Sequence, residues 1–313
     1  MPRLKRQPQS LDSGRRNVGS VGNSGNVGNE RAKRPVRKRF GQHFLEPAWA
    51  DKLVTAIEPQ ADDRFLEIGP GPGALTLRLA PRVAHVTAIE VDRDLAADLA
   101  PRLPANVDLV VADFLQLDLG PLAVSGPLRV AGNLPYNISS PILFRLIHAA
   151  RRSGSAPPDS ESRVPSPEPR LVDATLMLQR EVADRLEAVP GTGDYGVLSI
   201  SVQLHADVRR LLTLPPGAFR PAPKVHSAVV RLTFRPPLAP PRDEQVFEAM
   251  VRSAFTQRRK TLANALASFA DARGMRAVEA LQASGIAPSR RPETLDLAEL
   301  TRLADCFTAG ART

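Results

Sequence analysis

The residues of this chain best suited to chemistry are Asn133, Leu134, Pro135 and Tyr136, which follow an apolar, strand-like run. In an open α/β sheet this position is the carboxyl end of a strand, where such sheets bind ligands. Asn133 offers an amide acceptor, and Pro135 pushes Leu134 out of the helical region, so that the Leu134 carbonyl can face a cleft. Two acceptors beside the flat ring of Tyr136 suit an exocyclic amine on a planar base. A plain strand-to-helix turn with an asparagine cap and a core tyrosine explains the four residues equally well, so the surrounding elements must decide.

The preceding segments read as strands that bring further groups to the same edge of a parallel sheet. The first strand ends in a turn that contains Gly69 and Gly71, whose backbone can approach a ligand because no Cβ is in the way. The second ends in Glu90, a carboxylate placed to engage a ribose diol, the third in Asp113 and the fourth in Asn133. One acid at a strand end is more often a helix cap, but four such ends in succession favour a nucleoside-binding site.

The glycine-rich turn indicates which nucleoside ligand to expect. Its sequence, Gly-Pro-Gly-Pro-Gly, differs from the Gly-x-Gly-x-x-Gly of dinucleotide-binding turns. The two prolines remove backbone amides that a pyrophosphate would need. A ligand without phosphates fits better, and S-adenosylmethionine is the common one. A nicotinamide dehydrogenase is disfavoured for the same reason, and because the chain lacks a catalytic His or Tyr-Lys arrangement.

Positive charge is concentrated at the start of the chain. Residues 1–40 hold eleven Lys or Arg against two acids, a difference that equals the whole net charge of +9. The run Lys33–Arg39, which includes Arg37, Lys38 and Arg39, is therefore expected to contact nucleic acid, since lysine and arginine release counterions from phosphates. A solubilising tail is the alternative.

Two later segments add candidate RNA contacts. A proline-rich loop carries Phe219, which reads as an exposed aromatic, and the cation Lys224. Farther on, Arg258, Arg259 and Lys260 form a dense cationic cluster between helical stripes. A solvated helix face is the usual explanation of such a run, but the basic arm at the other end of the chain favours contact with an RNA backbone.

Composition excludes several classes of protein. The chain has one cysteine, which rules out an internal disulfide and fits a reducing cytosol. No apolar run approaches the roughly 20 residues that span a bilayer, and the basic start lacks the apolar core of a secretory signal. No Cys/His cluster has the spacing of metal ligands, so no metal is expected. We therefore expect a cytoplasmic protein.

Changes in composition divide the chain into three parts. Residues 1–36 predict a disordered basic extension, 37–235 an α/β domain with a Pro/Ser-rich loop insertion at 151–170, and 236–313 a small all-helical domain. Periodicity does not decide whether Val197–Leu204 is a strand or a buried helix. The run from Val225 to Phe234 is expected to close the sheet.

Five ordered segments resemble the ribosomal RNA adenine dimethylase family, most closely its KsgA/RsmA/Dim1 branch. They are Phe40-Gly41-Gln42-His43-Phe44-Leu45, Glu67-Ile68-Gly69-Pro70-Gly71, Asn133-Leu134-Pro135-Tyr136-Asn137-Ile138-Ser139, Phe219-x-Pro-x-Pro-Lys224-Val225-x-Ser227 and Phe255-x-Gln-Arg-Arg-Lys-Thr261-Leu262. The resemblance runs from about Arg37 to about Leu303. It implies a Rossmann-like methyltransferase domain followed by a helical, RNA-binding domain.

The resemblance also implies a reaction and a site. That branch dimethylates N6 of two adjacent adenosines in the 3′-terminal hairpin of small-subunit rRNA, so the implied partner is that rRNA in a pre-30S particle, bound by a monomer. In the family, the S-adenosylmethionine contacts fall on His43, Leu45, Gly69, Glu90, Asp113 and Asn133. The family usually has asparagine where this chain has His43. Tyr136 would stack on the target base, and Phe219 is a candidate for the opposite face of that base.

Two other functions share part of the pattern. The macrolide-resistance (Erm) branch, which acts on large-subunit rRNA, shares the early motifs but resembles the second half of the chain less well. A non-catalytic RNA-binding assembly factor could keep the same fold, but the intact Asn133-Leu134-Pro135-Tyr136 segment, Glu90 and Asp113 argue against it.

Overall fold

The computed structural model describes residues 43–123, 126–154 and 169–309. In these ranges the strands are β1 (Phe44–Leu45), β2 (Arg64–Ile68), β3 (His85–Glu90), β4 (Val107–Val111), β5 (Leu128–Asn133), β6 (Leu171–Gln179), β7 (Ala206–Leu214), β8 (Phe219–Arg220) and β9 (Ser227–Phe234). The helices are α1 (Pro47–Ile57), α2 (Thr76–Leu79), α3 (Arg93–Leu99), α4 (Gly120–Ala123), α5 (Ser139–Gly154), α6 (Arg180–Glu187), α7 (Val197–His205), α8 (Glu244–Thr256), α9 (Leu262–Ala265), α10 (Ala267–Asp271), α11 (Ala277–Ala283) and α12 (Leu297–Ala309). None of the described helices is long and apolar enough to cross a membrane.

Seven strands form one sheet in the order β4-β3-β2-β5-β6-β9-β7. The pairs from β4 to β6 are parallel, and β9 runs antiparallel to both β6 and β7. The chain moves outward from β2 through β3 to β4 and then returns to the other side of β2 with β5. That reversal creates a crevice at the carboxyl ends of β2 and β5, where open sheets bind ligands. The predicted α/β class is confirmed.

Alternating residues of the central strands build the two faces of the sheet. Leu66 and Val130 pack on one face with α5, whereas Phe65 and Ala131 pack on the other face with α1 and α2. Successive side chains of a strand point to opposite faces, so each strand contributes to two cores. The crevice therefore stands on strands whose positions are fixed from both sides.

The predicted order of the last strands is wrong. β9 does not close the sheet but lies between β6 and β7, and β7 is the edge strand. β7 escaped prediction because Arg209 and Arg210 follow each other and the register against β9 shifts between Arg210 and Leu212. That irregularity breaks the alternation by which a strand is recognised.

Helix α7 settles the segment that periodicity left open. Its Val202 packs in a sheet core, whereas its Ile200 and Leu204 pack with Phe247 and Phe307 of the C-terminal helices. A helix buried on two sides has no polar stripe, so its sequence shows no helical period. The helical core thus includes residues that precede the proline-rich segment 235–241, and all the described residues belong to one compact unit.

Two largely buried arginines, with side chains 12% and 13% exposed, lie at the amino end of the sheet. Arg129 donates to Asp63 at 2.6 Å, to Asp173 at 2.8 Å and to the Ile57 carbonyl at 2.9 Å. Arg231 donates to the same Ile57 carbonyl at 2.9 Å. Because these guanidinium groups satisfy carbonyls at the end of α1, they fasten that helix to three strands.

Candidate active site

A cavity of about 350 Å³ opens at the carboxyl ends of β2 and β5. It gathers ten of the residues that the sequence singles out for catalysis or cofactor binding. They are His43, Leu45, Gly69, Gly71, Glu90, Asp113, Asn133, Leu134, Pro135 and Tyr136. Residues separated by up to 93 positions along the chain therefore share one site. Most of them lie at or just after the carboxyl ends of β2 to β5, whereas His43 and Leu45 come from the segment that contains β1.

The glycine-rich turn lines the cavity and depends on residues without side chains. Gly71 and Gly73 have φ angles of +53° and +84°, which L residues rarely adopt. A Cβ on Gly73 would lie 2.5 Å from Leu99 Cδ1, and one on Gly71 would lie 3.3 Å from the Phe44 ring. The Gly71 N–H donates to Glu90 Oε2 at 2.9 Å, so the turn is tied to the end of β3.

Two acids near the end of β3, Glu90 and Asp92, have different roles. Asp92 caps α3 by accepting from the Asp94 N–H at 3.0 Å. Glu90 lines the cavity, and its Oε1 accepts from the Asp92 N–H at 2.9 Å. Burial raises the pKa of Glu90, while the hydrogen bonds from the backbone of Asp92 and Gly71 lower it. Both oxygens are thus oriented by backbone donors and keep lone pairs for hydroxyl groups.

Glu67 is a site residue that the sequence reasoning missed. It lies on β2, is 1% exposed and lines the cavity, and its Oε2 has no hydrogen-bond partner within the described ranges. Burial raises the pKa of Glu67 to about 7, with Glu90 adding to the rise and Thr76 opposing it. An acid inside an apolar strand was the available signal. A positively charged ligand would stabilise the ionised form of this carboxyl group.

Asn133 is oriented by its amide nitrogen. Nδ2 donates to the His43 carbonyl at 2.8 Å, and no donor to Oδ1 occurs in the described part of the chain. The next residue, Leu134, is fixed through its N–H, which donates to the Met177 carbonyl of β6 at 3.2 Å. One amide acceptor is therefore held at the cavity wall and left available.

Tyr136 and Asp113 also line the cavity and have partners of their own. The phenol oxygen of Tyr136 lies 2.7 Å from Ser227 Oγ, and its ring stacks on that of His43 with centroids 5.4 Å apart. Asp113 Oδ1 accepts from the Leu115 N–H at 2.9 Å, which makes it the cap of a turn as well as a lining residue.

The prediction of an exposed Phe219 is wrong. Its side chain is fully buried in a sheet core, because β8 pairs with β1 and turns the ring inward. Phe219 is not among the residues that line the cavity. In this conformation it cannot cover a face of a substrate base.

The cationic cluster separates into two kinds of residue. Arg258 donates to the carbonyls of Gly193 at 2.6 Å and Thr192 at 2.9 Å, so its guanidinium holds a loop. Arg259 and Lys260 are exposed. Lys224 is exposed as well, whereas Arg37, Lys38 and Arg39 lie outside the described residues, as does most of the 151–170 insertion.

Comparison with known proteins gives consistent matches along the chain. The model of the ribosomal RNA adenine dimethylase family matches residues 34–308. A Pseudomonas aeruginosa protein named ribosomal RNA small subunit methyltransferase A is 44% identical over 275 residues, which cover 86% of this chain and 94% of that protein.

Two solved structures resemble the whole arrangement. A dimethyladenosine transferase from Plasmodium falciparum has a TM-score of 0.66 at 23% identity and covers 83% of this chain and 96% of its own. The 23S rRNA methyltransferase ErmE has a TM-score of 0.59 at 27% identity and covers 85% of this chain and 99% of its own. Both matches extend beyond the sheet into the helical region.

Proposed function

Because the chain belongs to the ribosomal RNA adenine dimethylase family and is an rRNA adenine methyltransferase, we propose that it dimethylates two adjacent adenosines in the 3′-terminal hairpin of small-subunit rRNA. The choice of subunit is supported by the relative named for the small subunit, which is 44% identical, against 27% for ErmE. A pre-30S particle in the cytoplasm is the implied partner, and the chain is proposed to act as a monomer.

The observation that carries the proposal is the oriented amide of Asn133. An adenine N6 group has two protons and a lone pair that is delocalised into the ring. Asn133 Oδ1, which has no donor in the described part of the chain, and the carbonyl of Leu134 provide two acceptors for those protons. Nδ2 of Asn133 is fixed by the His43 carbonyl. Hydrogen bonds to both acceptors favour a pyramidal amine, whose lone pair then points out of the ring plane.

The residues around the cavity fit S-adenosylmethionine as the methyl donor. When bound, it supplies an electrophilic methyl group on a sulfonium. Glu90, buried and oriented by two N–H donors, is suited to a ribose diol. Glu67 presents a carboxyl oxygen that has no partner among the described residues and is suited to a positive charge. The Gly69–Gly73 turn leaves space where side chains would clash, and Asp113 lies at the neighbouring strand end.

The chain's own residues contribute mainly position in this reaction. Pro135 and the Leu134 N–H hold the backbone at the end of β5, and Tyr136 offers a flat face for the target base. Such placement supplies most of the acceleration when reactants are held in a near-attack geometry. The N6 proton becomes acidic once the methyl group has moved, so it leaves along the bond to Asn133 or Leu134 toward solvent. No carboxylate or histidine is needed as a base.

RNA contact is proposed for the exposed cations. Arg259, Lys260 and Lys224 are available to phosphates, and Arg37–Arg39 precede the first described strand. Arg258 is left out of this group because its guanidinium already holds the loop at Thr192 and Gly193.

The experiment is transfer of a radiolabelled methyl group to ribosomal subunits from a strain without this dimethylase. We expect label on small subunits, and nucleoside analysis should give N6,N6-dimethyladenosine, with about two moles per subunit. Large subunits from the same strain are the matched control. Label on large subunits alone would contradict the proposed substrate, and absence of label on either would contradict the activity.

A further inference from the structure

In the proposed reaction the ring of Tyr136 must present one face to the base in a fixed orientation. The turn that carries Tyr136 does not fix the orientation of the ring. Tyr136 follows the end of β5 in a short turn and is only partly buried. A tyrosine ring turns about two side-chain bonds, so contacts from other elements must set its plane. Two such contacts occur, one at the hydroxyl group and one on a face of the ring.

Ser227 holds the hydroxyl end. It is the first residue of β9, is fully buried, and pairs with Gln179 of β6 and Leu214 of β7. Its Oγ lies 2.7 Å from the Tyr136 hydroxyl oxygen. Burial raises the pKa of Tyr136, although the hydrogen bond to Ser227 opposes this rise, so the phenol stays neutral. The sheet itself thus anchors the far end of the ring.

His43 covers one face of the ring. The two rings stack with centroids 5.4 Å apart and planes 27° from parallel. The imidazole is fixed in turn, because its Nδ1–H donates to the Pro221 carbonyl at 2.8 Å. The carbonyl of His43 also accepts from Asn133 Nδ2 at 2.8 Å. One residue therefore contacts both side chains that the mechanism assigns to the base.

The partners of both contacts belong to one motif. Pro221 and Ser227 lie in the segment Phe219–Ser227, of which the proposed function otherwise uses only Lys224. Phe219, at the start of the segment, pairs with Leu45, two residues after His43. The segment Phe219–Ser227 therefore contacts both His43, through Pro221, and Tyr136, through Ser227.

We propose that Ser227 and His43 are positioning residues that clamp the Tyr136 ring as a one-sided platform. Ser227 fixes the hydroxyl end and His43 occupies one face, so the target adenine stacks on the other face. This inference rests on the proposed function, since it takes Tyr136 as the stacking partner of the base.

The first test is a double-mutant cycle on the hydroxyl pair, with methylation of undermethylated small subunits at saturating S-adenosylmethionine. Ser227→Ala and Tyr136→Phe should each lower kcat roughly ten-fold, because the ring loses its anchor, with KM for the subunit nearly unchanged. The double variant should be no slower than the slower single variant, since both changes break the same bond. Additive losses, or unchanged kcat in Ser227→Ala, would overturn the role of Ser227.

A matched control separates positioning from stability. Ser199 is also fully buried, and its Oγ donates to the Arg185 carbonyl at 2.5 Å, away from the cavity. Ser199→Ala should lower Tm about as much as Ser227→Ala does but leave kcat unchanged. Equal losses of kcat in both variants would show that Ser227 acts only through stability.

The second test separates the two bonds of His43. His43→Phe keeps a ring on Tyr136 but loses the bond to Pro221, whereas His43→Asn keeps a polar group but loses the stack. We expect His43→Phe to retain more of kcat than His43→Asn does. If the base displaces the imidazole, His43→Ala will match or exceed the wild type, and the clamp is wrong.

Tyr136→Ala distinguishes this inference from the function on which it rests. If Tyr136→Ala methylates normally, the proposed stacking itself fails. If Tyr136→Ala is impaired while the Ser227 and His43 variants are not, only the clamp fails.

Discussion

The two ends of the same sheet treat carboxylate, carbonyl and amide oxygens in opposite ways. At the amino end, Arg129 and Arg231 are paired with Asp63, Asp173 and the last carbonyls of α1. At the carboxyl end, Asn133 and Glu67 each keep an oxygen for which the described residues supply no donor.

A buried polar atom without a partner costs free energy. The contrast therefore indicates that the amino end of the sheet stabilises the fold and that the carboxyl end is suited to bind a ligand. Substitutions at the amino end should change stability, and substitutions at the carboxyl end should change binding and turnover.

The largest effect is expected from removing the ion pairs of Arg129 at the amino end of the sheet. Arg129→Met leaves two carboxylates unpaired, with side chains only 17% and 10% exposed for Asp63 and Asp173. The free energy of unfolding should fall by about 3–5 kcal/mol. Denaturant titration measures it, with Arg276→Met in the exposed pair with Glu279 as the control. The control should lose less than about 1 kcal/mol, and an equal loss would remove the contrast.

Substitutions at the carboxyl end of the sheet should lower turnover instead. Asn133→Ala removes an acceptor from the amine, so kcat should fall about 100-fold or more, while affinity for S-adenosylmethionine stays within a few-fold. Asn106 is the matched control, because its Nδ2 holds the Ala80 carbonyl at 2.8 Å on a structural loop. Asn106→Ala should lower Tm without changing kcat. Turnover near wild type in Asn133→Ala would refute the assigned role.

Glu67 should make cofactor binding depend on pH. Its pKa of about 7 lies above the ordinary value of 4.5, so it is protonated at pH 5.5 in the free protein. A positively charged ligand favours the ionised form and releases the proton. Affinity should therefore rise roughly ten-fold from pH 5.5 to 7.5.

Calorimetry in buffers of different ionisation enthalpy counts the released protons. Glu67→Gln should bind more weakly, release no proton and lose the dependence on pH. Without ligand, burial of Glu67 costs the wild type stability as pH rises from about 4.5 to about 7, because the unfolded chain ionises first, and Glu67→Gln should remove that loss. A pH-independent wild type would show that Glu67 does not face the ligand.

The smallest effect is expected in the cationic cluster, which also combines a residue that has partners within the fold with residues that are exposed. Arg258 is satisfied by loop carbonyls, whereas Arg259 and Lys260 are exposed. Replacing Arg259 and Lys260 by alanine should reduce the slope of log affinity for RNA against log salt by about 1.4–1.8. Arg258→Ala should instead lower Tm and leave the slope nearly unchanged. Parallel slopes for wild type and the double variant would place the RNA elsewhere.

The sequence predicts the residues at the carboxyl end of the sheet better than it predicts the segments packed around them. Gly69, Glu90, Asp113 and Asn133 could be placed at one edge because alternation and glycine mark strand ends locally. The burial of Phe219 could not be predicted, since it depends on a two-residue pairing between segments 174 positions apart. The family and the α/β class are confirmed, whereas the roles of the site residues stay predictions.

Chemically identical residues are separated only by tertiary contacts. Nothing in the run Arg258-Arg259-Lys260 shows that one guanidinium holds a loop, because Thr192 and Gly193 are more than sixty positions away. Likewise, Glu67 is visible as an acid in a strand, but its burial depends on how β2 is covered on both faces. The ring on which His43 stacks is equally invisible in sequence.

Helix α7 has a consequence for how a substrate is chosen. Its Val202 belongs to a sheet core and its Ile200 and Leu204 to the helical core, so the two cores cannot pivot without breaking the packing of one helix. The shared packing of α7 is expected to hold Lys260 at a constant distance from Asn133. If Lys260 contacts a phosphate as proposed, we expect the protein to methylate only an adenosine that lies at that distance from the contacted phosphate.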